Sequence, residues 1–437
     1  MVEIITLGGY QEVGKNMTAI KYKDETVIID MGILLDVMLL YEDDKINRMS
    51  LNELKDLGAL PDDRPIKNEN VSAIVLSHGH LDHIGAVSKL AGHYDAPIYG
   101  TEFTTELVKS EVTDERDYTV NNPINTLDFN KKVQVSENIS IELVQITHSI
   151  PQTAVVVIHT PEGPILYLND YKIDYHNPLG EKTDFERLRE LSEQGIKAVI
   201  MESIYADKET TSPSEEVARI RIEDFLVQEQ SEGIIVTTFA SQIARIKNLI
   251  DLAHKIGRQP IFLGRSLCKY TGVAQNLDLL DLSGTQSVRY SDSIDNILEK
   301  VQEDRQSYMP IVTGHQGEQY AVLTRMANDQ TSYTLSNKDV VVFSSRVIPK
   351  PMNEANRHKL VTKIKQKGAG VVKDLHVSGH AHRRDYKFML DLLEPENIIP
   401  SHGNFQMLSN LAELSEEIGY KINEDVFISS NGNKITL

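Results

Sequence analysis

Three histidines and one aspartate crowd into the segment Ser77-His78-Gly79-His80-Leu81-Asp82-His83. Isolated histidines are usually surface or satisfied core residues, but three imidazoles around one carboxylate repel one another when protonated and are costly to bury. A divalent cation compensates for both effects. The chain has a single cysteine, Cys268, so a thiolate cluster is excluded. Neutral imidazole and carboxylate without thiolate suit zinc, with manganese or iron as weaker candidates.

The spacing within this segment predicts more than one metal ion. Side chains at alternate positions of an extended turn face the same way, so His78 and His80 can share one ion. Asp82 and His83, one step further along the chain, then face another ion. One ion needs about four ligands, and a catalytic zinc ion keeps one position open for water.

The remaining ligands must come from other parts of the chain. We expect His148 to complete the first site, Asp170 to bridge both sites, and His402 to close the second. Two metal ions roughly 3.5–4 Å apart form the arrangement that hydrolyses phosphate esters. These residues together therefore predict a dinuclear centre for hydrolysis.

Apolar runs typical of β-strands position most of these side chains. Each run is followed within two residues by a His, Asp or Glu, where a strand leaves a packed sheet and enters a loop. Side chains placed in this way converge on one rim of a sheet. The runs are residues 26–29 before Asp30, 71–76 before His78, 141–146 before His148, 165–168 before Asp170 and 198–201 before Glu202.

The middle of the chain alternates strands and helices, which predicts a second α/β unit with a parallel sheet. Helices are predicted over residues 184–191, 214–228, 242–256 and 294–304, and strands over residues 233–238, 260–263, 310–312 and 340–343. Three further strand ends are expected over residues 371–376, 377–380 and 398–402. The chain is therefore expected to leave the first, metal-type unit, build an inserted domain, and return.

Length and charge limit the class of protein. A chain of 437 residues is long enough for two or three domains, and its net charge of −19 argues against a general polyanion binder. Residues 346–373 differ, because they contain eight Lys or Arg and one acid; they predict either a cationic groove or the solvated face of a helix. The N-terminus has no basic and apolar leader and no segment approaches 18 apolar residues, so we expect a cytoplasmic protein with no membrane partner.

The metal-type motifs resemble those of a known superfamily. The His-x-His-x-Asp-His segment, with Asp30, His148 and Asp170 in the same order, resembles the metallo-β-lactamase superfamily. The fold of that superfamily is an αββα sandwich with the metals at the rim of two packed sheets. The resemblance implies this fold for the first unit.

A second set of motifs resembles the β-CASP branch, which acts on nucleic acids. These are Glu202, His380 within Ser-Gly-His-Ala, and His402 within Pro-Ser-His-Gly-Asn-Phe. More closely, the chain is similar to the ribonuclease J family in its shorter, archaeal form. The motifs that support this similarity are Leu7-Gly-Gly, Glu12-Val-Gly-Lys-Asn-Met, Thr313-Gly-His-Gln-Gly-Glu318, Val342-Phe-Ser-Ser and His376-Val-Ser-Gly-His380.

The resemblance implies an α/β architecture, a metallo-β-lactamase αββα sandwich with an inserted β-CASP α/β domain. It places the first part of the metallo-β-lactamase domain at residues 1–208, the β-CASP domain at residues 209–361, and the return at residues 362–437. Asn169 and His315 depart from the Gly and Ser that are common in related proteins at those positions. The chain stops at Leu437, before the C-terminal domain of the bacterial enzymes, so dimerisation through that domain is not expected. We expect a homodimer, for which another interface could serve.

The resemblance also implies the metal ligands, with two Zn²⁺ per chain and Mn²⁺ as a substitute. Asp30 and Glu202 are expected to orient ligating imidazoles by accepting a hydrogen bond from the ring nitrogen that does not bind metal. Glu202 is expected to orient His402 in this way. One ion would be held by His78, His80, His148 and Asp170, and the other by Asp82, His83, Asp170 and His402.

For the substrate, the resemblance implies binding by His376, Val377, Ser378, Gly379 and His380. Since hydroxyls, amides and guanidinium groups recognise phosphate oxygens, Ser344, Ser345 and Arg346 are further candidates for a pocket that holds a terminal phosphate. As catalytic residues we expect Asp82 to hold the nucleophile and His380 to stabilise charge or protonate the leaving 3′-oxygen.

The function expected from these motifs is a zinc-dependent 5′→3′ exoribonuclease that degrades single-stranded RNA and prefers a 5′-monophosphate. An alternative with the same chemistry is a β-CASP endoribonuclease that cuts RNA internally. A small thioester or lactam hydrolase is a third possibility, but such a substrate needs no inserted domain. A non-catalytic RNA-binding subunit is a fourth, but a binding module has no use for a complete dinuclear site.

Overall fold

The computed structural model describes residues 1–40, 49–348 and 350–437. Within these residues the strands are β1 (Val2–Gly8), β2 (Tyr10–Gln11), β3 (Met17–Tyr22), β4 (Glu25–Ile29), β5 (Val71–Val75), β6 (Ile98–Gly100), β7 (Ile124–Thr126), β8 (Val133–Gln134), β9 (Ser140–Gln145), β10 (Ala154–Thr160), β11 (Gly163–Leu168), β12 (Ala198–Glu202), β13 (Gly233–Thr237), β14 (Gln259–Leu263), β15 (Gln286–Val288), β16 (Tyr308–Val312), β17 (Asp339–Phe343), β18 (Gly370–Val372), β19 (Ile398–Ser401), β20 (Gly403–Asn404) and β21 (Lys434–Thr436).

The helices among the same residues are α1 (Leu35–Leu40), α2 (Leu51–Asp56), α3 (Leu81–Ile84), α4 (Val87–Leu90), α5 (Glu102–Asp114), α6 (Phe185–Glu193), α7 (Glu215–Gln228), α8 (Ile243–Lys255), α9 (Arg265–Asn276), α10 (Ser291–Glu303), α11 (Val322–Ala327), α12 (Pro351–Gln366), α13 (Arg383–Leu393) and α14 (Phe405–Glu417). Short 3₁₀ turns cover Arg64–Ile66, Ala91–His93 and Arg305–Ser307. In the part of the chain that the structure describes, no helix is both long enough and apolar enough to cross a membrane.

The chain divides into two compact units. The first, here called the metal unit, comprises Met1–Tyr175, Glu181–Ser212 and Gly379–Leu437. The second, here called the inserted unit, comprises His176–Gly180 and Pro213–Ser378. The domain boundaries expected from the sequence, at residues 208/209 and 361/362, stay a prediction.

Two sheets form the centre of the metal unit. One has the order β21-β1-β3-β4-β5-β6-β7 and the other the order β19-β12-β11-β10-β9-β8. Alternate residues of a strand point to opposite faces, and β10 shows the consequence: Val156 packs into the core that both sheets share, whereas Val155 packs into the core between the second sheet and helices. Leu188 of α6 and Tyr386 of α13 belong to that second core. The predicted sandwich of packed sheets with helices outside is therefore confirmed.

The functional side chains follow strands that run in the same direction within each sheet. Strands β4 and β5 are parallel, as are β11, β12 and β19. Strand β9 is antiparallel to β10, which is antiparallel to β11, so β9 runs in the direction of β11. Parallel strands end at the same edge of a sheet, which brings the residues that follow β4, β5, β9, β11, β12 and β19 to one rim.

The inserted unit contains a sheet with the order β15-β14-β16-β13-β17-β18 in which every described pair of neighbours is parallel. Parallel strands need helical crossovers, which here include α8 and α9. The central strands are buried along their length, as in β17, where residues 339–343 are all buried and residues 340–343 are apolar. The predicted α/β insertion with a parallel sheet is confirmed.

One sequence expectation fails at the return from the inserted unit. The strand expected over residues 371–376 ends at Val372, and residues 377–380 contain no strand. Polar Asp374, at a positive φ of 67°, interrupts the apolar run and leaves the sheet. The segment that was expected to end strands is therefore a loop from Lys373 to His382.

Candidate metal centre

Residues 77–80 form a loop after β5 in which His80 is the residue before α3, whereas Asp82 and His83 lie in α3 itself and not in the extended turn expected from the sequence. The neighbouring segment after β4 holds this segment in place, because Met31 N–H donates to the His83 carbonyl at 2.7 Å and Ile33 N–H donates to the Leu81 carbonyl at 3.0 Å. A side chain on Gly32 would have its Cβ 1.7 Å from the Asp82 carbonyl oxygen. Glycine at position 32 is therefore required for the two segments to approach.

The structure brings together the four residues expected to hold the first ion. Nε2 of His78 and Nε2 of His148 lie 3.0 Å and 3.3 Å from Nδ1 of His80. Oδ2 of Asp170 lies 3.5 Å from Nε2 of His78 and 3.7 Å from Nε2 of His148. These four side chains can offer one ligand atom each, all within 4.8 Å of one another.

A second group of four shares Asp170 with the first. Nε2 of His83 lies 3.4 Å from Oδ2 of Asp170, and Nε2 of His402 lies 3.4 Å from Oδ1 of the same carboxylate. Oδ2 of Asp82 lies 3.8 Å from both of these imidazole nitrogens. Because Oδ2 of Asp170 also faces His78 and His148 of the first group while Oδ1 faces His402, the Asp170 carboxylate is shared by the two groups, as a bridging ligand must be.

Hydrogen bonds fix which ring nitrogen of each histidine faces the centre. Nδ1 of His83 lies 2.6 Å from the Asp30 carboxylate, and Nδ1 of His148 lies 2.6 Å from the Gly379 carbonyl. Because both partners are acceptors, these Nδ1 atoms carry the proton. In the neutral rings the Nε2 atoms therefore point inward with lone pairs, the tautomer that metal-binding histidines need.

The donor set fits a pair of divalent ions. Two imidazole nitrogens, Nε2 of His78 and Nε2 of His148, lie 3.0 Å and 3.3 Å from a third, Nδ1 of His80, and three lone pairs that face one another in this way repel unless a cation lies among them. Oδ1 of Asp170 is buried and has no hydrogen-bond partner among the described residues, which is costly for a carboxylate oxygen without an ion. Ligand atoms on a tetrahedral zinc ion lie roughly 3.3–3.4 Å apart, given bonds of about 2.0–2.1 Å, and most of the observed separations are close to this.

The pKa values favour metal binding at most of these residues. Burial, reinforced by the charge of His83, lowers the pKa of His78 to about 4. Burial also lowers the pKa of His402 and holds the pKa of His148 well below its usual range. Although burial favours the neutral acid, the charges of His402 and His83 hold the pKa of Asp170 well below its usual range. Near neutral pH His78, His148 and His402 are therefore neutral imidazoles and Asp170 is ionised, the forms that bind metal. His83 differs: although burial opposes protonation, the carboxylates of Asp170, Asp30 and Asp82 raise its pKa well above the usual range, so a metal ion has to displace a proton from this ring.

Backbone strain marks three residues of the centre. Asp30, Asp170 and His402 have positive φ angles of 59°, 58° and 47°, a conformation that costs a residue with a side chain of order 1–3 kcal/mol. Asn169 helps to hold the last two, because its side chain donates to the Tyr167 hydroxyl at 2.8 Å and accepts from the Ser401 hydroxyl at 2.6 Å. Asn169, which stands where related proteins commonly have Gly, thus connects the end of β11 before Asp170 to the end of β19 before His402.

Glu202 lies against a different histidine from the one expected. Its Oε2 lies 2.8 Å from Nδ1 of His380, and its Oε1 accepts from the Tyr171 N–H at 3.0 Å. The interpretation that Glu202 orients His402 is therefore wrong, since Nδ1 of His402 instead lies 2.8 Å from Oδ1 of Asn16. Although burial opposes protonation, the carboxylates of Glu202 and Asp170 raise the pKa of His380 to about 10.

Asn16 is the residue of the centre that the sequence interpretation missed. Besides its contact with His402, its side-chain nitrogen donates to the Asp82 carbonyl at 3.1 Å and lies 3.0 Å from Nε2 of His83. Asn16 therefore contacts three members of the second ligand group: the His402 ring, the His83 ring and the Asp82 backbone. It stands inside the Glu12-Val-Gly-Lys-Asn-Met motif, but no metal-ligand spacing distinguishes it there.

The phosphate-binding candidates divide between the two units. Gly379 and His380 belong to the metal unit, and the other candidates belong to the inserted unit: Ser344, Ser345, Arg346, His376, Val377 and Ser378. The Ser344 hydroxyl is already engaged, because it donates to the Leu375 carbonyl at 2.8 Å and accepts from Arg245 at 2.5 Å. The Ser345 hydroxyl is buried without a hydrogen-bond partner among the described residues, and Arg346 is exposed.

The basic stretch is mostly helix α12, and only part of it is open to solvent. Arg346, Lys359, Lys365 and Lys373 are exposed. Arg357 is buried over the Phe343 ring, 3.4 Å from its centroid, and burial lowers the pKa of Arg357 to about 10. Lys363 and Lys367 bond Asn328 and Asp329. The stretch therefore presents a smaller cationic surface than its sequence suggests.

Comparison with known proteins assigns families to the two units. Residues 10–194 match the metallo-beta-lactamase superfamily, residues 231–364 match the family described as ribonuclease J, beta-CASP domain, and residues 368–428 match the Zn-dependent metallo-hydrolase RNA specificity domain. A solved protein of unknown function from Enterococcus faecalis has the same fold over 100% of both chains, with a TM-score of 0.65 and 17% identity.

Curated relatives extend the similarity over the whole chain. Ribonuclease J of Pyrococcus abyssi is 53% identical over 100% of this chain and 97% of its own length. Ribonuclease J of Methanocaldococcus jannaschii is 44% identical over 99% of this chain and 98% of its own length. On the metal centre, the inserted unit and these full-length matches, the chain belongs to the ribonuclease J family, the metal-dependent, RNA-hydrolysing nucleases of the metallo-β-lactamase and β-CASP type.

Proposed function

We propose that this protein is a zinc-dependent 5′→3′ exoribonuclease that degrades single-stranded RNA and prefers a 5′-monophosphate end. The observation that supports it most is the pair of ligand groups that share Asp170, whose Oδ2 lies 3.5 Å from Nε2 of His78 in the first group and whose Oδ1 lies 3.4 Å from Nε2 of His402 in the second. Dinuclear centres of this kind suit the hydrolysis of phosphodiesters. Membership of the ribonuclease J family supports RNA as the polymer.

Zinc is the proposed metal, with two ions per chain and manganese as a substitute. The donors are imidazole nitrogens and carboxylate oxygens, a set that zinc accepts readily. One ion would be held by His78, His80, His148 and Asp170, and the other by Asp82, His83, Asp170 and His402. When bound, two such ions supply a water of lowered pKa and neutralise charge on the phosphate oxygens.

The chain's own groups then position the water and the leaving group. The Asp82 side chain is 31% exposed, whereas the Asp170 side chain is 3% exposed, so Asp82 is the carboxylate that an entering water reaches. Asp82 holds the attacking water by accepting its proton in a hydrogen bond. His380, which is an imidazolium near neutral pH, gives its proton to the leaving 3′-oxygen, while Glu202 keeps the ring oriented. Because water attacks phosphorus and the bond to the 3′-oxygen breaks, the phosphate stays on the 5′-oxygen and the products carry a 5′-phosphate.

Preference for a 5′ end requires a group that recognises a terminal phosphate. In the inserted unit the candidates are the Ser345 hydroxyl, the Arg346 guanidinium, and the segment His376, Val377 and Ser378. A monophosphate suits such a pocket better than a triphosphate, which would overfill it. The exposed part of the basic stretch binds the RNA backbone without regard to sequence. We also retain the homodimer as part of the proposal.

End-labelled RNA tests the reaction and its direction together. Single-stranded RNA labelled at the 5′ end should yield labelled mononucleotide from the first turnover, and RNA labelled at the 3′ end should yield progressively shorter labelled fragments. EDTA should stop both reactions, and added Zn²⁺ should restore them. Turnover that persists in metal-stripped protein would contradict the metal mechanism.

A circular RNA separates the exonuclease from the endonuclease alternative. Circular RNA has no 5′ end, so the proposed exonuclease should leave it intact while it degrades the linear form of the same sequence. Linearisation of the circle by the protein would show internal cutting and favour the β-CASP endoribonuclease.

A further inference from the structure

Arg245 is a fully buried arginine at the centre of the inserted unit. It lies on α8, its side chain is 0% exposed, and among the described residues it is the largest of the fully buried side chains. Nε and Nη2 donate to the two carboxylate oxygens of Glu215, the first residue of α7, the second contact at 3.0 Å. The guanidinium thus makes a two-point ion pair that leaves Nη1 to reach other partners.

The remaining nitrogen of Arg245 joins two separate segments. Nη1 donates to the Ser344 hydroxyl at 2.5 Å and to the Ser344 carbonyl at 3.1 Å, directly after β17. The same nitrogen lies 3.3 Å from the Leu375 carbonyl and 3.5 Å from Nδ1 of His376. One side chain therefore connects the Ser344–Arg346 segment with the loop that contains His376, both of which are proposed to bind phosphate.

The contact with Arg245 also limits where the His376 ring can lie. Nη1 carries two N–H groups, which donate to the Ser344 hydroxyl and carbonyl, so its 3.5 Å separation from Nδ1 of His376 is a packing contact. Arg245 therefore constrains the position of His376 as well as that of Ser344.

A buried ion pair contributes little net free energy to folding. Removing both charges from water costs several kcal/mol per ion, and apolar replacements are often as stable. The two-point geometry of Arg245 with Glu215 is suited to precise placement, because the planar guanidinium fixes the direction of Nη1. The arrangement is explained if the position of Ser344 and His376 matters to the reaction.

We propose that Arg245, anchored by Glu215, is a positioning residue for recognition of the RNA 5′ end: it sets the placement of the Ser344–Arg346 segment and of the loop that contains His376. The inference rests on the proposed preference for a 5′-monophosphate. Arg245 itself touches no substrate, because it has no exposed surface. Its loss should therefore weaken discrimination between 5′ ends and should leave the metal centre in place.

The inserted unit provides a matched control in Arg305. This arginine is also buried, and its guanidinium bonds Asp339, the Tyr333 hydroxyl at 2.9 Å and the Thr334 carbonyl at 3.0 Å. Asp339 is the first residue of β17, whereas Ser344 follows the last. The two arginines thus form similar ion pairs at opposite ends of the same strand.

The experiment compares kcat/KM for 5′-monophosphorylated and 5′-hydroxyl RNA of one sequence in wild-type, Arg245→Lys, Glu215→Gln and Arg305→Lys proteins. The ratio of the two values is the readout, because it does not depend on the fraction of active protein. We expect the ratio to fall roughly tenfold in Arg245→Lys and severalfold in Glu215→Gln, as expected for the loss of one well-placed phosphate hydrogen bond. Arg305→Lys should keep the wild-type ratio even if it unfolds at a lower temperature.

The outcomes separate this inference from the proposed function. If wild-type protein prefers the monophosphate and both Arg245→Lys and Glu215→Gln retain the preference, the positioning role is wrong while the exonuclease proposal stands. An equal fall in Arg305→Lys would show a general effect of destabilising the unit and would also overturn it. A wild-type ratio near one would contradict the 5′-phosphate pocket itself and this inference with it.

Discussion

The carboxylate of Glu202 and the imidazole of His380 are joined by a 2.8 Å contact between Oε2 and Nδ1. Glu202 is completely buried at the end of β12, whereas the His380 side chain is 21% exposed. The pair therefore combines an inaccessible anion with an imidazole that a substrate can approach. This arrangement is suited to holding a proton donor beside the metal centre.

Glu202→Gln should lower kcat by about 10²-fold, because His380 loses the anion that keeps it protonated and oriented. The zinc content should stay at two ions per chain, and the dissociation constant for RNA should change little. The control is Glu142→Gln, since Glu142 is also buried and contacts His159 at 2.7 Å outside the metal centre. Loss of one zinc ion from Glu202→Gln would instead identify Glu202 as a ligand, which its position near Asp170 and His380 allows.

Single substitutions should remove different numbers of metal ions. Asp170 belongs to both ligand groups, so Asp170→Ala should lose both ions, whereas His80→Ala and His402→Ala should each lose one. His80→Ala should also abolish turnover while RNA binding is largely retained. Metal content by mass spectrometry of the purified proteins checks this, with His254→Ala, an exposed histidine, as the control. Equal metal loss in the three ligand variants would contradict the assignment of separate groups.

Asn16→Ala should weaken binding of one ion and spare the other. Asn16 accepts from His402 and donates to the Asp82 carbonyl, both in the second group, and partners of this kind are worth roughly 10–100-fold in metal affinity. Titration of the metal-free protein with Zn²⁺ against a chromophoric chelator measures both affinities. If the stronger and the weaker site shift together, Asn16 has a general structural role instead.

The salt dependence of RNA binding should reveal which lysines contact phosphates. Lys359→Gln and Lys365→Gln remove exposed charges of α12, and each should lower the slope of log K against log salt by roughly 0.7. Lys421→Gln serves as the control, because Lys421 is exposed in the metal unit and pairs with Glu424. Fluorescence anisotropy with labelled RNA at several salt concentrations gives the slopes. Unchanged slopes in both α12 variants would exclude this helix surface from RNA binding.

Acid should destabilise the metal unit partly through Glu142. Although burial favours the neutral acid, hydrogen bonds from His159 and Arg187 lower the pKa of Glu142 from its ordinary value of 4.5 to about 2. A group with a lowered folded-state pKa stabilises the protein above its unfolded-state pKa and loses this contribution as pH falls. The contribution, about 2 kcal/mol after allowance for solvent screening, should disappear between about pH 5 and pH 2.

Urea unfolding of metal-free protein at several pH values tests this prediction. The free energy of unfolding should fall more steeply below pH 5 in wild-type protein than in Glu142→Gln, which has no carboxylate to protonate at that position. Asp63→Asn is a second variant, because the pKa of Asp63 is also lowered to about 2 despite burial, by His93 and Lys55. Parallel curves for wild-type and Glu142→Gln would show that the Glu142 contacts contribute nothing to acid sensitivity.

The amino-acid sequence by itself determined the fold class and the candidate ligands. Apolar runs that are followed by Asp30, His78, His148 and Asp170 predict strands whose ends lie at one rim, because the polar residues of buried parallel strands are found beyond the strand ends. The crowding of three histidines around Asp82 predicts a cation, because nothing else makes such a cluster stable. The alternation of strands and helices predicted the inserted unit, the count of ligands predicted the role of His402, and the family resemblance implies both as well. All of these are local patterns, which is why they can be recognised without coordinates.

Only the tertiary structure decided which polar groups support the ligands. The partners in these contacts lie far apart in the chain: Glu202 and His380 are separated by 178 positions, Asn16 and His402 by 386, and Glu215 and Arg245 by 30. No periodicity of the sequence encodes pairings over such distances. The sequence therefore assigned Glu202 to the wrong histidine and overlooked Asn16. Likewise, it counted Arg357 as part of an open basic surface, whereas packing on Phe343 buries it. Hydrogen-bond partners and burial depend on how separate elements meet, and that is a property of the whole fold.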